Sequence, residues 1–181
     1  MNVKAREWNP LAGLPRHFRI ISLVLASGLM GLLALGQMHF RLILVVGPSM
    51  LPTFNTGHVL LVHKRAYRDA DPRRGDTVVA RYNKDLIVKR VVALPWEQAE
   101  VNRGTLYIDG TPIEEDHPIN PGPLDIGRGR LPKGKFALLG DNRALPASQI
   151  VHAIVSKEHI VGKVVFSVRL SRSEPRPIPG T

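Results

Sequence analysis

Hydrophobic and polar positions along this chain follow two different patterns. Between Arg19 and Arg41, twenty-one residues, IISLVLASGLMGLLALGQMHF, carry no formal charge. As a helix rising about 1.5 Å per residue they reach about 31 Å, the depth of a bilayer's hydrocarbon core. Gln37 and His39 are polar, so the apolar part proper runs from Ile20 to Gly36. The pattern predicts a single transmembrane helix over residues 20–40. A cleaved secretory signal would also start with basic residues and an apolar run, but no clear small-x-small site follows this one. A buried core helix is the remaining alternative.

Beyond about Leu42 the pattern changes to short β-branched runs divided by turn signals: LILVV, HVLLVH, DTVVARY, LIVKRVVAL, LYIDG, FALLG and HIVGKVVFSV. They lie too close together for the crossover helices of parallel βαβ units, so residues 41–170 read as a mostly β, antiparallel domain. Asn102-Arg103-Gly104 predicts a tight hairpin loop with Gly104 at positive φ. Residues 111–134 hold five Pro and four Gly beside Glu114, Glu115 and Asp116, and read as a long surface excursion. The tail over residues 171–181 reads as disordered.

Composition adds exclusions. No cysteine occurs, which removes disulfides, thiolate zinc sites and a Cys nucleophile. A formal net charge of +10 points to an anionic partner, either nucleic acid or lipid headgroups. Lys and Arg are scattered and aromatics few, which disfavours nucleic acid and leaves membrane lipid. Before the apolar run, Lys4, Arg6, Arg16 and Arg19 face only Glu7. Residues 1–19 are therefore expected to stay cytoplasmic, with the domain outside a plasma membrane.

Two segments are candidates for chemistry. In VVGPSMLPT, residues 45–53, Ser49 follows Gly47-Pro48 just past the expected anchor. A hydroxyl nucleophile needs a turn that exposes its Oγ and leaves N–H groups aimed at the developing oxyanion; the bland alternative is a plain Gly-Pro-Ser turn. The second segment is DLIVKRVVAL, where Lys89 shares a strand face with Ile87 and Val91. A lysine serves as a base only when neutral, and burial among aliphatic groups next to Arg90 would favour that form. Ser–Lys dyads are a known pairing of nucleophile and base. His58 and His63 fall on opposite faces of one strand, and His152 and His159 flank a polar turn, so none has metal-ligand spacing. No metal or other cofactor is implied, and spacing alone leaves a Ser–His–Asp triad open.

Taken in order, GPSMLPT (47–53), RRGDTVVA (73–80), VKRVVALP (88–95), LYIDG (106–110), GDNR (140–143) and IVGKVVF (160–166) resemble the signal peptidase I family. The resemblance implies an antiparallel β catalytic domain in which Ser49 attacks the scissile carbonyl and Lys89 is the general base. It implies that Met50 packs beside the nucleophile and that the Ser49 N–H serves the oxyanion. Val45, Ile87 and Val88 would form shallow pockets for small side chains. The substrates implied are secretory preproteins with small residues at positions −1 and −3. Asp141 would pair with Arg90 or Arg143 in a supporting role.

The chain also departs from the family pattern. Where members carry a Ser that bonds the lysine after GDNR, this chain has ALPASQI: Pro146 stands in direct register, and Ser148 replaces the Ser only after a two-residue shift. Gly47 stands where many bacterial members have a second oxyanion donor. Pro95-Trp96-Glu97 replaces Pro-Gly-Asp, and Trp96 suits a membrane interface. These departures keep two alternatives in view: a protease that matures one conjugation, pilus or surface protein, and an inactive presequence-binding relative.

Overall fold

The computed structural model describes residues 15–169, apart from the side chains of Leu33, Ala34, Gln37 and Ala147. Most of the expected cytoplasmic segment and the whole tail from 171 therefore lie outside the described residues. The chain divides into two compact units at His39–Phe40.

The first unit holds α1 (Arg16–His39), which begins four residues before the uncharged run. Its first turn closes on the Pro15 carbonyl, which accepts from the Phe18 and Arg19 N–H groups. Ser22 and Ser27 fold their hydroxyls back onto the Arg19 and Val24 carbonyls at 2.9 Å. Among the described residues no helix is long and apolar enough to cross a membrane.

The second unit is built from antiparallel strands. β1 (Phe40–Leu44) overlaps only the first three residues of LILVV, while β2 (His58–His63), β3 (Thr77–Tyr82) and β4 (Asp85–Ala93) follow the predicted runs closely. Next come β5 (Gln98–Asn102), β6 (Thr105–Ile108), β7 (Thr111–Pro112), β8 (Ile126–Arg130), β9 (Lys135–Leu139), β10 (Ala153–Ser156) and β11 (Ile160–Arg169). They form a seven-stranded sheet in the order β1-β2-β11-β3-β4-β9-β10 and a four-stranded sheet in the order β7-β6-β5-β8. β3 lies in the middle of the larger sheet. Val78 and Ala80 join one core cluster with Val91, Phe136 and Leu138, while Val79 joins another with Met50, Leu60 and Val62. Alternation along one strand thus feeds two faces, which is why its apolar run is continuous.

Two expectations need correction, and one strand has no counterpart among the predicted runs. LILVV ends as a strand at Leu44: Val45 still bonds the end of β2 through the His58 carbonyl, and the chain beyond it forms the loop that carries Ser49. The stretch 111–134 is no plain excursion: it contributes β7 and β8, and its Gly-rich IGRGR pairs with β5 through backbone groups that need no apolar side chains. β10 is only four residues long and gave no usable pattern. The predicted hairpin forms between β5 and β6, with both Arg103 (φ +47) and Gly104 (φ +79) left-handed, as a two-residue turn of matching twist requires.

Candidate active site

Ser49 lies on the loop between β1 and β2, and Lys89 on β4. Lys89 Nζ and Ser49 Oγ are hydrogen-bonded at 2.6 Å. The lysine is 4% exposed. Burial pushes its pKa down to about 8, against the opposing pull of the Asp141 carboxylate. A lysine displaced that far from its ordinary value carries its charged form at a cost of about 3 kcal/mol in this site.

The serine turn is held from behind by the loop after β9. The Asn142 N–H donates to the Ser49 carbonyl at 3.2 Å and its side-chain amide to the Pro48 carbonyl at 3.0 Å. Both clamps engage carbonyls, so Oγ and the Ser49 N–H stay available; among the described residues that N–H has no acceptor. Gly140 is required by contact: a Cβ there would collide with the Ser49 carbonyl and stand 3.6 Å from Lys89 Nζ. Gly47 (φ +99) supplies the left-handed entry to the turn. Its N–H donates to Thr56 Oγ1 at 3.0 Å, so Gly47 is a turn residue and offers no second oxyanion donor. Met50, 1% exposed, packs with Val45 and Phe54 under the turn.

Asp141 is fully buried and accepts two bonds from Arg90, at 2.8 and 2.7 Å, with Thr53 Oγ1 as a third donor at 2.5 Å. Arg90 also donates to the Gly75 carbonyl, which ties the RRGD turn to the site. Arg143 is spoken for elsewhere: it bonds the Gly140 and Gly104 carbonyls and Glu115. The pairing left open in the sequence is therefore Arg90–Asp141.

A cleft opens onto the dyad, lined by Val45, Ile87 and Val88 together with Leu44, Gln149 and Val151. Among the described residues no histidine lines it, and the partner at Ser49 Oγ is Lys89. Ser148 is exposed on the short turn Ala147–Gln149 and is not among the lining residues; the shifted replacement for the missing Ser does not reach Lys89. Trp96 adopts φ +72, a conformation costly for a bulky residue, where the family pattern has glycine. Glu97 takes over the turn's polar work by accepting from the Leu94 N–H and pairing with Arg74.

The family model for signal peptidase, peptidase S26, matches residues 17–169, from the helix through β11. The chain belongs to this family. Among signal peptidase I relatives, one from Leptolyngbya laminosa is 31% identical over 80% of this chain and 73% of its own length. Another, from Bacillus caldolyticus, is 34% identical over 67% of this chain and 75% of its own. A probable signal peptidase I-1 of Synechocystis is 34% identical, but the matched stretch spans only 65% of either chain. The crystal structure of a signal peptidase I from Enterococcus faecalis superposes over 53% of this chain and 98% of its own, at 22% identity and a TM-score of 0.42. Sequence reasoning about this S26 domain missed Asn142's grip on the nucleophile turn, Thr53 on Asp141, and Glu115. The first was within reach, since an Asn in a Gly-Asp-Asn turn carries an amide suited to carbonyls.

Proposed function

We propose that this chain is a membrane-bound serine endopeptidase that removes N-terminal signal peptides from exported preproteins. The observation that carries the reading is the 2.6 Å contact between Ser49 Oγ and a buried Lys89 at the floor of an apolar cleft. Neutral Lys89 accepts the hydroxyl proton as Oγ attacks the scissile carbonyl. The Ser49 N–H stabilises the oxyanion, and protonated Lys89 then gives its proton to the leaving amine. Water attacks the acyl-enzyme with Lys89 again as base, which releases the new C-terminus and restores Ser49. An intact dyad disfavours the inactive-relative reading.

Val45, Ile87 and Val88 line the cleft beside Ser49 with short apolar side chains, which supports a reading in which small side chains of the substrate pack there. β1 is the edge strand of its sheet, paired only to β2, so its backbone can pair with an extended peptide in the cleft. The expected result is cleavage of preproteins with Ala at −1 and −3. A Leu at −1 should lower kcat/KM by at least about a hundredfold, since an oversized side chain displaces the carbonyl from Oγ. Product masses from a panel varied at −1 and −3 test this, and indifference to −1 size would contradict it. Cleavage of a single preprotein out of many would favour the specialised protease.

Membrane lipid is the second proposed partner. Across β1, β2 and β11 the register aligns Leu42, Leu61 and Phe166 in one row and Leu44, Val59 and Val168 in the next. Leu42, Leu44, Phe166 and Val168 are all well exposed. Such an apolar sheet face, with basic residues elsewhere on the domain, suits the outer surface of a bilayer. The uncharged run 20–40 is the proposed anchor. Its serine hydroxyls, already bonded within the helix, would enter lipid at little further cost.

A further inference from the structure

Behind the dyad, the stretch 111–134 brings a histidine to Asp141, the carboxylate whose charge opposes the depression of Lys89. His117 Nε2 lies 3.6 Å from Asp141 Oδ1 and 3.4 Å from Glu115 Oε1, and its ring is about nine-tenths buried. Nδ1 is 3.5 Å from Asp116 Oδ1. All three neighbours are acceptors, so the ring meets the buried pair as an N–H donor, yet Nε2 completes no hydrogen bond in the resting structure. A buried donor without a partner is costly unless another state of the site uses it.

The other charges around the ring are accounted for. Glu114, Glu115 and Asp116 come from its own loop, Asp141 and Arg143 from the loop after β9, Arg90 from β4 and Arg74 from the turn before β3. Arg90 grips Asp141 from one side, Arg143 grips Glu115, and Arg74 is paired with Glu97. Among the described residues, only His117 faces both carboxylates at once. Asp141 in turn is the charged group felt by Lys89.

We infer that His117 is a positioning residue of the proposed dyad: its Nε2–H, unbonded at rest between Asp141 and Glu115, closes onto the Asp141 carboxylate in the working site and limits the negative charge that Lys89 experiences. Removing the N–H leaves Asp141 less screened on that side, which favours the ammonium form of Lys89. His117→Leu should therefore move the acid limb of kcat/KM upward by about half a pH unit, and its activity relative to the native protein should be about threefold lower at pH 7 than at pH 9. His117→Gln, whose amide retains an N–H, should restore the native limb. A purely structural role would lower activity equally at every pH.

The inference rests on the proteolytic reading, so the test includes a readout independent of turnover. In the full-length Ser49→Ala protein, the Lys89 Cε resonance followed against pH reports the lysine midpoint directly. The expected result is the same upward displacement with Leu at 117 and its reversal with Gln. His117→Met, an apolar side chain of similar reach, takes its place if the Leu protein does not fold. An unmoved midpoint, or equal displacement by Leu and Gln, would overturn the assignment of His117. A displaced midpoint in a protein that cleaves no preprotein would uphold that assignment while counting against the proposed function.

Discussion

Replacing Lys89 with Met is expected to abolish preprotein cleavage, by at least about a thousandfold, while making the fold more stable. The first effect follows because Ser49 has no other base in the cleft, and a nucleophile and base that act as a unit fail together. Ser49→Ala should match it. The second effect follows from the sign of the lysine's displacement. Its folded pKa, about 8, lies below the ordinary value of 10.5. The unfolded chain therefore binds the extra proton between these values, and stability rises with pH across that window. Below pH 8 the folded protein carries the whole penalty, about 3 kcal/mol, which Met does not incur. Thermal melting at pH 7 should show Lys89→Met above the native protein, with the gap narrowing towards pH 10.5. A less stable Met variant at pH 7 would mean that burial is not what depresses this lysine.

The second large effect is on folding rather than chemistry. Asp141→Ala leaves the Arg90 guanidinium, with 8% of its side chain exposed, without its carboxylate. Breaking one half of a buried pair costs about 3–5 kcal/mol. For a domain of this size that is a loss of roughly ten degrees in melting temperature. Arg90→Ala should do the same, and the double variant should lose much less than the sum, because each residue's main cost is the partner it strands. A melting temperature within a degree of the native protein in either single variant would contradict this account of the Gly-Asp-Asn-Arg loop.

The strands around the dyad were legible because they are apolar and regular: β2, β3, β4 and β11 each present the β-branched runs that a half- or fully buried strand needs. Ser49 and Lys89 stood out for the opposite reason, as a hydroxyl in a Gly-Pro turn and a cation within an aliphatic run. What escaped notice was held by backbone or by long-range polar contacts. β8 is IGRGR, a strand without an apolar face. His117 and Glu115 sit in a Pro-rich stretch whose composition signals surface, and only the three-dimensional path carries them behind Asp141. Ser148 shows the converse: a residue of the right type, two positions out of register, stays on an exposed turn and leaves Lys89 to Ser49 alone.

The central claim is that a buried lysine, neutral near pH 8, takes the Ser49 proton. Its most direct test is kcat/KM for an Ala-x-Ala preprotein against pH. A single acid-limb midpoint near 8, with the rate falling tenfold per pH unit below it, is the result expected when Lys89 must lose its proton. A rate independent of pH from 6 to 9, or undiminished cleavage by Lys89→Met across that range, would contradict it.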